Sequence, residues 1–188
     1  GVYAEGTQTA QALALYLGLV PEGKEQLVAD KLREVVAGNN YFLDFGLLGS
    51  KTVPAMLTKY GYIEDAMKMI TKTEAPSWGY WVETMGYSTL PETWTLSPKF
   101  ADASLNHVFM GDVSAWMMNQ LAGINHDDSA PGFRHIRITP HFVKELDWAK
   151  GEYHSVRGRI ASEWKREGDQ VMLTVTIPAD CSADIVVG

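Results

Sequence analysis

The stretch EAPSWGYWVETMGYSTLPETW, residues 74–94, holds the side chains best suited to chemistry. It contains three tryptophans, two tyrosines and three glutamates, but neither the 3.6-residue period of a helix nor the alternation of a strand. It belongs to a longer aperiodic segment, residues 72–103. Long aperiodic segments inside compact domains are usually functional or disordered. The many aromatic side chains argue against disorder, so we predict a functional loop.

Aromatic rings beside carboxylates suit a sugar ligand. The apolar C–H faces of a pyranose pack on indole rings, and its hydroxyls bond to carboxylate, imidazole and amide groups. The candidate sugar contacts in the loop are Trp78, Tyr80, Trp81 and Trp94. The alternative is that these rings close one end of a helical layer, because buried tryptophan is normally structural.

Hydrophobic periodicity predicts the elements that must position this loop. We expect five helices that alternate between apolar, buried ones and amphipathic, exposed ones: 8–19, 22–37, 46–60, 62–71 and 104–121. Pro54 suggests an early turn or a kink in the third of them. Alternation of this kind is typical of the inner and outer helices of a layered helical barrel.

The pattern changes after the turn-rich segment AGINHDDSAPG, residues 122–132, which suggests a domain boundary. Beyond it, apolar and polar residues alternate around Ile136 and Ile160, as they do in half-buried strands. We expect residues 1–128 to belong to the helical domain and residues 129–188 to form a small antiparallel β-sandwich. The predicted fold class is therefore α+β.

Composition argues against several kinds of partner. The formal net charge is −7, whereas nucleic acids and anionic membranes both require a basic face. No apolar run reaches membrane-spanning length. The histidines show no metal-ligand spacing, no glycine-rich phosphate loop is present, and Cys181 has no base near it in sequence. Neither a metal nor a cofactor is predicted.

Several segments, taken in their order, resemble bacterial α-L-rhamnosidases. The active-site region of that family is similar to STLPETW and ASLNHVFMGDVSAWMMNQLAGI, and a preceding helix is similar to GTQTAQALALYLGLVPEG. The family's C-terminal β domain is similar to GFRHIRITPHF and LDWAKGEYHSVRGRIASEWKREGDQVMLTVTIPAD. The resemblance covers essentially the whole chain. It implies part of a six-hairpin (α/α) barrel, about five helices, followed by that β domain.

The resemblance also implies an activity and assigns roles. Family members cleave glycosidic bonds to L-rhamnose with inversion, so a rhamnose-containing carbohydrate is the implied substrate. The general base is a glutamate in a Thr-Thr-aliphatic-Trp-Glu-x-Trp segment, which corresponds to Glu92; Ser88 and Pro91 depart from that pattern. A substrate-contacting histidine corresponds to His107. The general acid lies upstream in the family, so the isolated chain is expected to be inactive.

Three alternatives remain open. Glu83 is a rival base, although carboxylates of this kind are usually structural or solvated. An inverting glycoside phosphorylase on the same barrel would replace the base and water with phosphate, and a glutamate at position 92 speaks against it. A non-catalytic carbohydrate-binding or assembly fragment belongs to another class of function.

The barrel interpretation predicts self-association. If the other helices are absent, residues 8–19, 46–60 and 104–121 keep apolar faces uncovered, and such surfaces mark association sites. We therefore expect a two-fold homodimer through these faces, with the β domain outside the interface. The chain begins GVYAEGTQTA, with neither an initiator Met nor a signal peptide, so we expect an internal piece of a longer protein. The compartment is left open, with the periplasm or the cell exterior favoured over the cytoplasm.

Overall fold

The computed structural model describes residues 2–94 and 102–187. The chain divides into two compact units, Gly1–Val113 and Ser114–Gly188. The first unit is helical, and the second contains the end of the last helical segment and the β-strands. None of the helices in the described ranges combines the length and the apolar character needed to cross a membrane.

The helices of the described residues are α1 (Gln8–Tyr16), α2 (Glu25–Gly38), α3 (Leu47–Lys59), α4 (Ile63–Ile70) and α5 (Asp112–Trp116). The first four confirm the predicted helices. The Thr7 side chain caps α1 by accepting a hydrogen bond from Ala10 N at 3.2 Å, the usual way of satisfying a free N–H at a helix start. Pro54 lies within α3, which continues on both sides of it.

The predicted helix 104–121 is wrong in its first half. Residues 102–107 are irregular, and the chain then forms a 3-10 turn (Val108–Gly111), α5 and a π-helical turn (Met117–Leu121). The Ser104 oxygen accepts from Glu92 N instead of from a following helical turn, and His107 N donates to the Leu90 oxygen. A helix from residue 104 would require the Ser104 carbonyl for itself, so this non-local pairing overrides the local periodicity.

A polar network joins α2 to α4 on the outside of the helical unit. Arg33 Nε donates to the buried Asp65 Oδ2 at 2.7 Å, and the Arg33 guanidinium lies 4.8 Å from the centre of the Tyr62 ring. Gln26 and Tyr62 both donate to Asp30 Oδ1. The hydrogen bond from Tyr62 lowers the pKa of Asp30 and raises the pKa of Tyr62. These groups support the packing of two helices and lie on elements other than the aromatic loop.

The strands of the described residues are β1 (Ile124–His126), β2 (His135–Ile138), β3 (Trp148–Ser155), β4 (Gly158–Glu167), β5 (Gln170–Thr176) and β6 (Ser182–Ile185). They form two three-stranded sheets with orders β1-β2-β6 and β3-β4-β5. The second sheet is antiparallel throughout, as predicted. In the first, β2 pairs antiparallel with β1 but parallel with β6. A parallel pair needs a long crossover connection, and here the chain between β2 and β6 forms the second sheet.

The core of the second unit confirms the predicted alternation. Its buried cluster is formed by Ile124, Ile136, Ile138 and Ile160. Trp164 is also fully buried, with its Nε1 donating to the main-chain oxygen of Leu121 at 2.7 Å. The hydrogen bond satisfies the one polar atom of the indole, so the whole ring can lie in the interior.

Gly123 connects the last helical turn to β1, and a substitution there tests how closely this region is packed. Its φ is +78°, and a Cβ added there would lie 2.3 Å from the main-chain nitrogen of Pro140. Gly123→Ala should therefore destabilise the unit by roughly 2–5 kcal/mol, through both backbone strain and steric overlap. Gly168→Ala is the matched control, because Gly168 also has a positive φ (+63°) but nothing within 4 Å of an added Cβ.

Urea unfolding followed by tryptophan fluorescence measures both changes. The control should lose only about 1–2 kcal/mol, the strain of a left-handed backbone alone. Equal losses in the two variants would show that the space around Gly123 is not limiting.

Exposed apolar residues of the helical unit line a groove of about 640 Å³, which we call the apolar groove. Its walls come from α1, α3 and the 3-10 turn, the segments from which the sequence predicts association. The lining residues are Leu13, Tyr16, Leu17, Leu47, Leu48, Lys51, Thr52, Val108, Phe109 and Asp112. Leu48 and Val108 are 61% and 80% exposed, so this surface is open to a second molecule.

We predict that the 188-residue chain forms a two-fold dimer through the apolar groove. A specific contact requires roughly 1,000 Å² of buried surface, and a charge placed in it should prevent association. Leu48→Glu should therefore return the chain to a monomer, whereas Met172→Glu, at an equally exposed position on β5, should not. Light scattering over a range of concentrations provides the measurement. A monomer of 20.8 kDa at every concentration would contradict the prediction.

Candidate functional site

The aromatic rings of the loop form a packed cluster. Trp94 stacks on Trp81, with ring centres 4.3 Å apart and planes inclined by 21°. Its ring lies edge-on to Trp78 at 5.4 Å and 86°. Phe45, from the segment before α3, packs against Trp78 at 5.9 Å and against Trp94 at 6.0 Å. These stacked and edge-to-face arrangements are the ones that ring quadrupoles favour, at about 0.5–1.5 kcal/mol per pair beyond burial.

Burial separates the four candidate sugar contacts into two pairs. Trp78 and Trp81 are only 4% and 1% exposed, so protein covers their ring faces. Trp78 Nε1 donates to the main-chain oxygen of Met110 at 3.0 Å. For these two residues the geometry favours the structural alternative. Tyr80 and Trp94 are half-buried and keep accessible surface. A sugar-binding role for any of the four stays a prediction.

A tight turn on Ser77 and Gly79 leads the chain into this cluster. Ser77 Oγ donates to the main-chain oxygen of Lys72 at 2.7 Å and accepts from Tyr80 N at 2.9 Å. A Cβ at Gly79 would lie 2.3 Å from that same Lys72 oxygen, so only glycine fits. The next residues, Tyr80–Thr84, form a π-helical turn. The loop is therefore less irregular than predicted, and the rival base Glu83 is exposed on this turn.

Trp94 also anchors the chain near Glu92. Its Nε1 donates to the main-chain oxygen of Phe45, while its ring is stacked on Trp81. A residue held by both its polar atom and its ring face has little freedom to move. Glu92, two positions earlier, therefore starts from a fixed backbone.

Residues 89–92 lie antiparallel to residues 104–107, and we call this pair of segments the clip. Its four hydrogen bonds run from Thr89 Oγ1 to Leu105 O (2.7 Å), from His107 N to Leu90 O (2.8 Å), from Glu92 N to Ser104 O (2.8 Å) and from Ser104 N to Glu92 Oε2 (3.0 Å). Three of them start from a main-chain N–H. The clip thus brings together two stretches that are more than ten residues apart in sequence.

Glu92 is half-buried, and its carboxylate is held by one oxygen. Oε2 accepts the Ser104 N–H. Within residues 2–94 and 102–187, no hydrogen bond reaches Oε1. Among the described residues, one carboxylate oxygen is therefore held in orientation and the other is left without a hydrogen bond.

Pro91 fits this arrangement although it departs from the family pattern. The main-chain bonds of the clip use the oxygen of Leu90 and the nitrogen of Glu92 and skip the residue between them. Proline lacks an N–H, and at such a skipped position it loses no ladder bond. The buried Pro91 ring is therefore compatible with the local backbone.

His107 caps the 3-10 turn, whereas the sequence predicts that it lies near the start of an α-helix. Its Nδ1 accepts a hydrogen bond from Phe109 N at 3.4 Å, and its ring lies edge-on to the Phe109 ring at 5.4 Å. Because Nδ1 accepts, a neutral ring carries its proton on Nε2, which can then donate. The clip places His107 and Glu92 on paired segments, so the structure brings two of the predicted site residues onto neighbouring stretches of backbone.

Sequence reasoning missed two contributors to this arrangement. Phe45 completes the aromatic cluster, and its aromatic type in the segment YFLDFG was the only indication available. The Ser104 N–H holds Glu92, and every residue except proline carries such a group. The sequence therefore offered no way to single out Ser104.

The family descriptions that match this chain divide it in two. Residues 1–121 match the bacterial alpha-L-rhamnosidase 6 hairpin glycosidase domain, and residues 123–188 match the bacterial alpha-L-rhamnosidase C-terminal domain. The domain boundary expected at residues 128–129 stays a prediction.

Similar proteins carry the same description. The alpha-L-rhamnosidase of Streptomyces avermitilis is 28% identical over 185 residues, which are 95% of this chain and 18% of that protein. The alpha-L-rhamnosidase of an Alteromonas species is 28% identical over 187 residues, which are 96% of this chain and 20% of that protein. The chain therefore spans about a fifth of the length of these relatives.

Solved structures agree with the fold. The alpha-L-rhamnosidase of Dictyoglumus thermophilum is 32% identical with a TM-score of 0.87, over 95% of this chain and 20% of that one. The Streptomyces avermitilis enzyme, solved with L-rhamnose, is 27% identical with a TM-score of 0.89, over 98% and 19%. The match to the first family description alone covers more than half of the residues. The chain belongs to the bacterial α-L-rhamnosidase family, of which it carries part of the six-hairpin glycosidase domain and the C-terminal β domain.

Proposed function

We propose that this chain supplies the general base of an inverting α-L-rhamnosidase, which releases terminal L-rhamnose from glycosides or polysaccharides. Family membership supports glycoside hydrolysis, and one relative was solved with L-rhamnose. The single observation that carries the finer proposal is the carboxylate of Glu92, which is fixed through Oε2 by the Ser104 N–H. A base must be oriented and must keep an oxygen for its proton, and this geometry supplies both.

In the proposed reaction, a water molecule lies between Glu92 Oε1 and the anomeric carbon of rhamnose. Oε1 accepts a proton from the water while the water oxygen attacks the carbon, on the side opposite to the leaving group. The bond from that carbon to the aglycone oxygen breaks, and a general acid protonates this oxygen. The base and acid of inverting enzymes stand about 6.5–9.5 Å apart to admit the water. The resemblance places the acid in a part of the family's domain that these 188 residues do not match.

The remaining candidate residues are proposed to contact different parts of the sugar. His107 Nε2 is suited to donate to a sugar hydroxyl, because Nδ1 is already an acceptor. Tyr80 and Trp94 retain exposed surface, so they are suited to form an apolar wall for the C6 methyl of rhamnose. In this proposal Trp78 and Trp81 support Trp94 from behind.

Glu92→Gln tests the assignment in an enzyme that contains this chain. Glutamine keeps the size and an acceptor for the Ser104 N–H but cannot take a proton. We expect kcat on an aryl α-L-rhamnoside to fall about 10²–10⁴-fold, the usual loss on removing a general base. KM should change little, because the lost interaction belongs to the transition state.

Two further variants complete this experiment. Glu83→Gln is the matched control and should keep wild-type turnover. Glu92→Gly should recover turnover with azide, which needs no base, and release a rhamnosyl azide of inverted configuration. Full activity in Glu92→Gln together with a collapse in Glu83→Gln would transfer the role to Glu83. Release of rhamnose 1-phosphate in phosphate buffer would favour the phosphorylase.

The 188-residue chain alone should not hydrolyse rhamnosides, because the proposed acid is absent from it. Rhamnose binding should be millimolar or weaker, which corresponds to at most about 4 kcal/mol. Nuclear magnetic resonance titration with L-rhamnose and a long incubation with an aryl rhamnoside measure the two properties. Hydrolysis by the purified chain that disappears in its Glu92→Gln variant would refute the need for a separate acid.

A further inference from the structure

We infer that Ser104 is the positioning residue of Glu92: its main-chain N–H fixes Oε2 and so selects Oε1 as the oxygen that takes the proton from water. The inference rests on the proposed function, in which Glu92 is the base. It adds a residue whose contribution is made by its backbone and not by its side chain.

Ser104 and Glu92 are joined twice. The Glu92 N–H donates to the Ser104 oxygen at 2.8 Å, and the Ser104 N–H donates to Glu92 Oε2 at 3.0 Å. In an ordinary antiparallel ladder, a hydrogen-bonded pair exchanges both of its main-chain bonds. Here the second bond goes to the carboxylate, in the position that a main-chain carbonyl would otherwise take. A ladder donor is therefore directed at the proposed base.

This contact restrains the carboxylate without neutralising it. Hydrogen bonds to an ionised acceptor are roughly twice as strong as those between neutral groups. In the described ranges, no Lys, Arg or His forms an ion pair with Glu92, so none of these cations competes there for its lone pairs. An amide donor thus orients the group, and no other described residue bonds to its second oxygen. Orientation matters because a misplacement of about 1 Å can cost 10²-fold in rate.

The donor itself sits on a supported backbone. Ser104 Oγ accepts from Asn106 N at 3.1 Å, which closes a small turn directly after the donor. Further along, the main-chain oxygen of Phe109 accepts from Ser50 Oγ on α3 at 2.8 Å. The remaining clip bonds flank Ser104 on the side of His107. Because the backbone around Ser104 is held in this way, its N–H can restrict the movement of the Glu92 carboxylate.

Removal of this one N–H tests the inference in the enzyme that contains the chain. Ser104→Pro deletes the donor, and Ala103→Pro is the matched control because the Ala103 N–H donates to no described residue. Ser104→Pro should lower kcat about 10–100-fold and leave KM within about threefold. Ala103→Pro should stay within about threefold of wild type in both constants. A main-chain ester at Ser104, which replaces only the N–H by oxygen, should give the same loss if the proline variant does not fold.

A spectroscopic measurement on the 188-residue chain supplies an independent readout. The amide proton resonance of Ser104 should move as the Glu92 carboxylate titrates, and this movement should vanish in Glu92→Gln. Full turnover in Glu92→Gln would overturn the proposed function itself. The positioning role alone would be overturned if Glu92→Gln loses turnover while the Ser104 ester keeps wild-type kcat. The same conclusion would follow if Glu92→Gln loses turnover but the Ser104 amide resonance does not respond to the Glu92 carboxylate.

Discussion

Main-chain polar groups that leave water must find hydrogen-bond partners. In the clip, Glu92 N donates to Ser104 O, His107 N donates to Leu90 O, and Ser104 N donates to the Glu92 carboxylate. The rest of the candidate site follows from this pairing. It stops residues 104–107 from starting a helix, so His107 becomes the cap of a short 3-10 turn. It also sets the distance at which the Ser104 N–H meets the carboxylate. Side-chain chemistry at the site is thus arranged by main-chain hydrogen bonding.

The aromatic cluster fixes the loop from which one half of the clip comes. Trp94 bonds to the backbone of the segment before α3 and stacks on Trp81, and Trp78 bonds to the backbone of the 3-10 turn. The indoles of Trp78 and Trp94 therefore tie the loop to two different parts of the helical unit through their rings and their N–H groups. Such contacts keep a long loop ordered without a regular ladder of its own. The abundance of aromatic residues between positions 74 and 94 is explained first by this support.

Local pattern accounts for the parts of the fold that sequence predicts well. The first four helices carry an apolar period, and strands such as β2 and β4 carry an alternation that matches their burial. The helix expected from residue 104 failed because its first residues bond to a segment far away in sequence. The parallel β6 was not foreseen, since four residues carry too little alternation to reveal a partner. Within the site, the motif singled out Glu92, whose role as base stays a prediction, and residue type could not distinguish a buried Trp81 from an open sugar platform.

The backbone origin of the Ser104 contact has a consequence for how this region tolerates genetic change. A side-chain donor to a carboxylate is lost by almost any substitution, whereas a main-chain donor survives every replacement except proline. Any substitution at position 104 other than proline therefore keeps the N–H that bonds to Glu92, although it can remove the contact from Asn106 N to Ser104 Oγ. Position 91 shows the complementary case, because proline is accepted where the ladder asks for no N–H. For the main-chain donors of the clip, proline is thus the one substitution that removes the hydrogen bond itself.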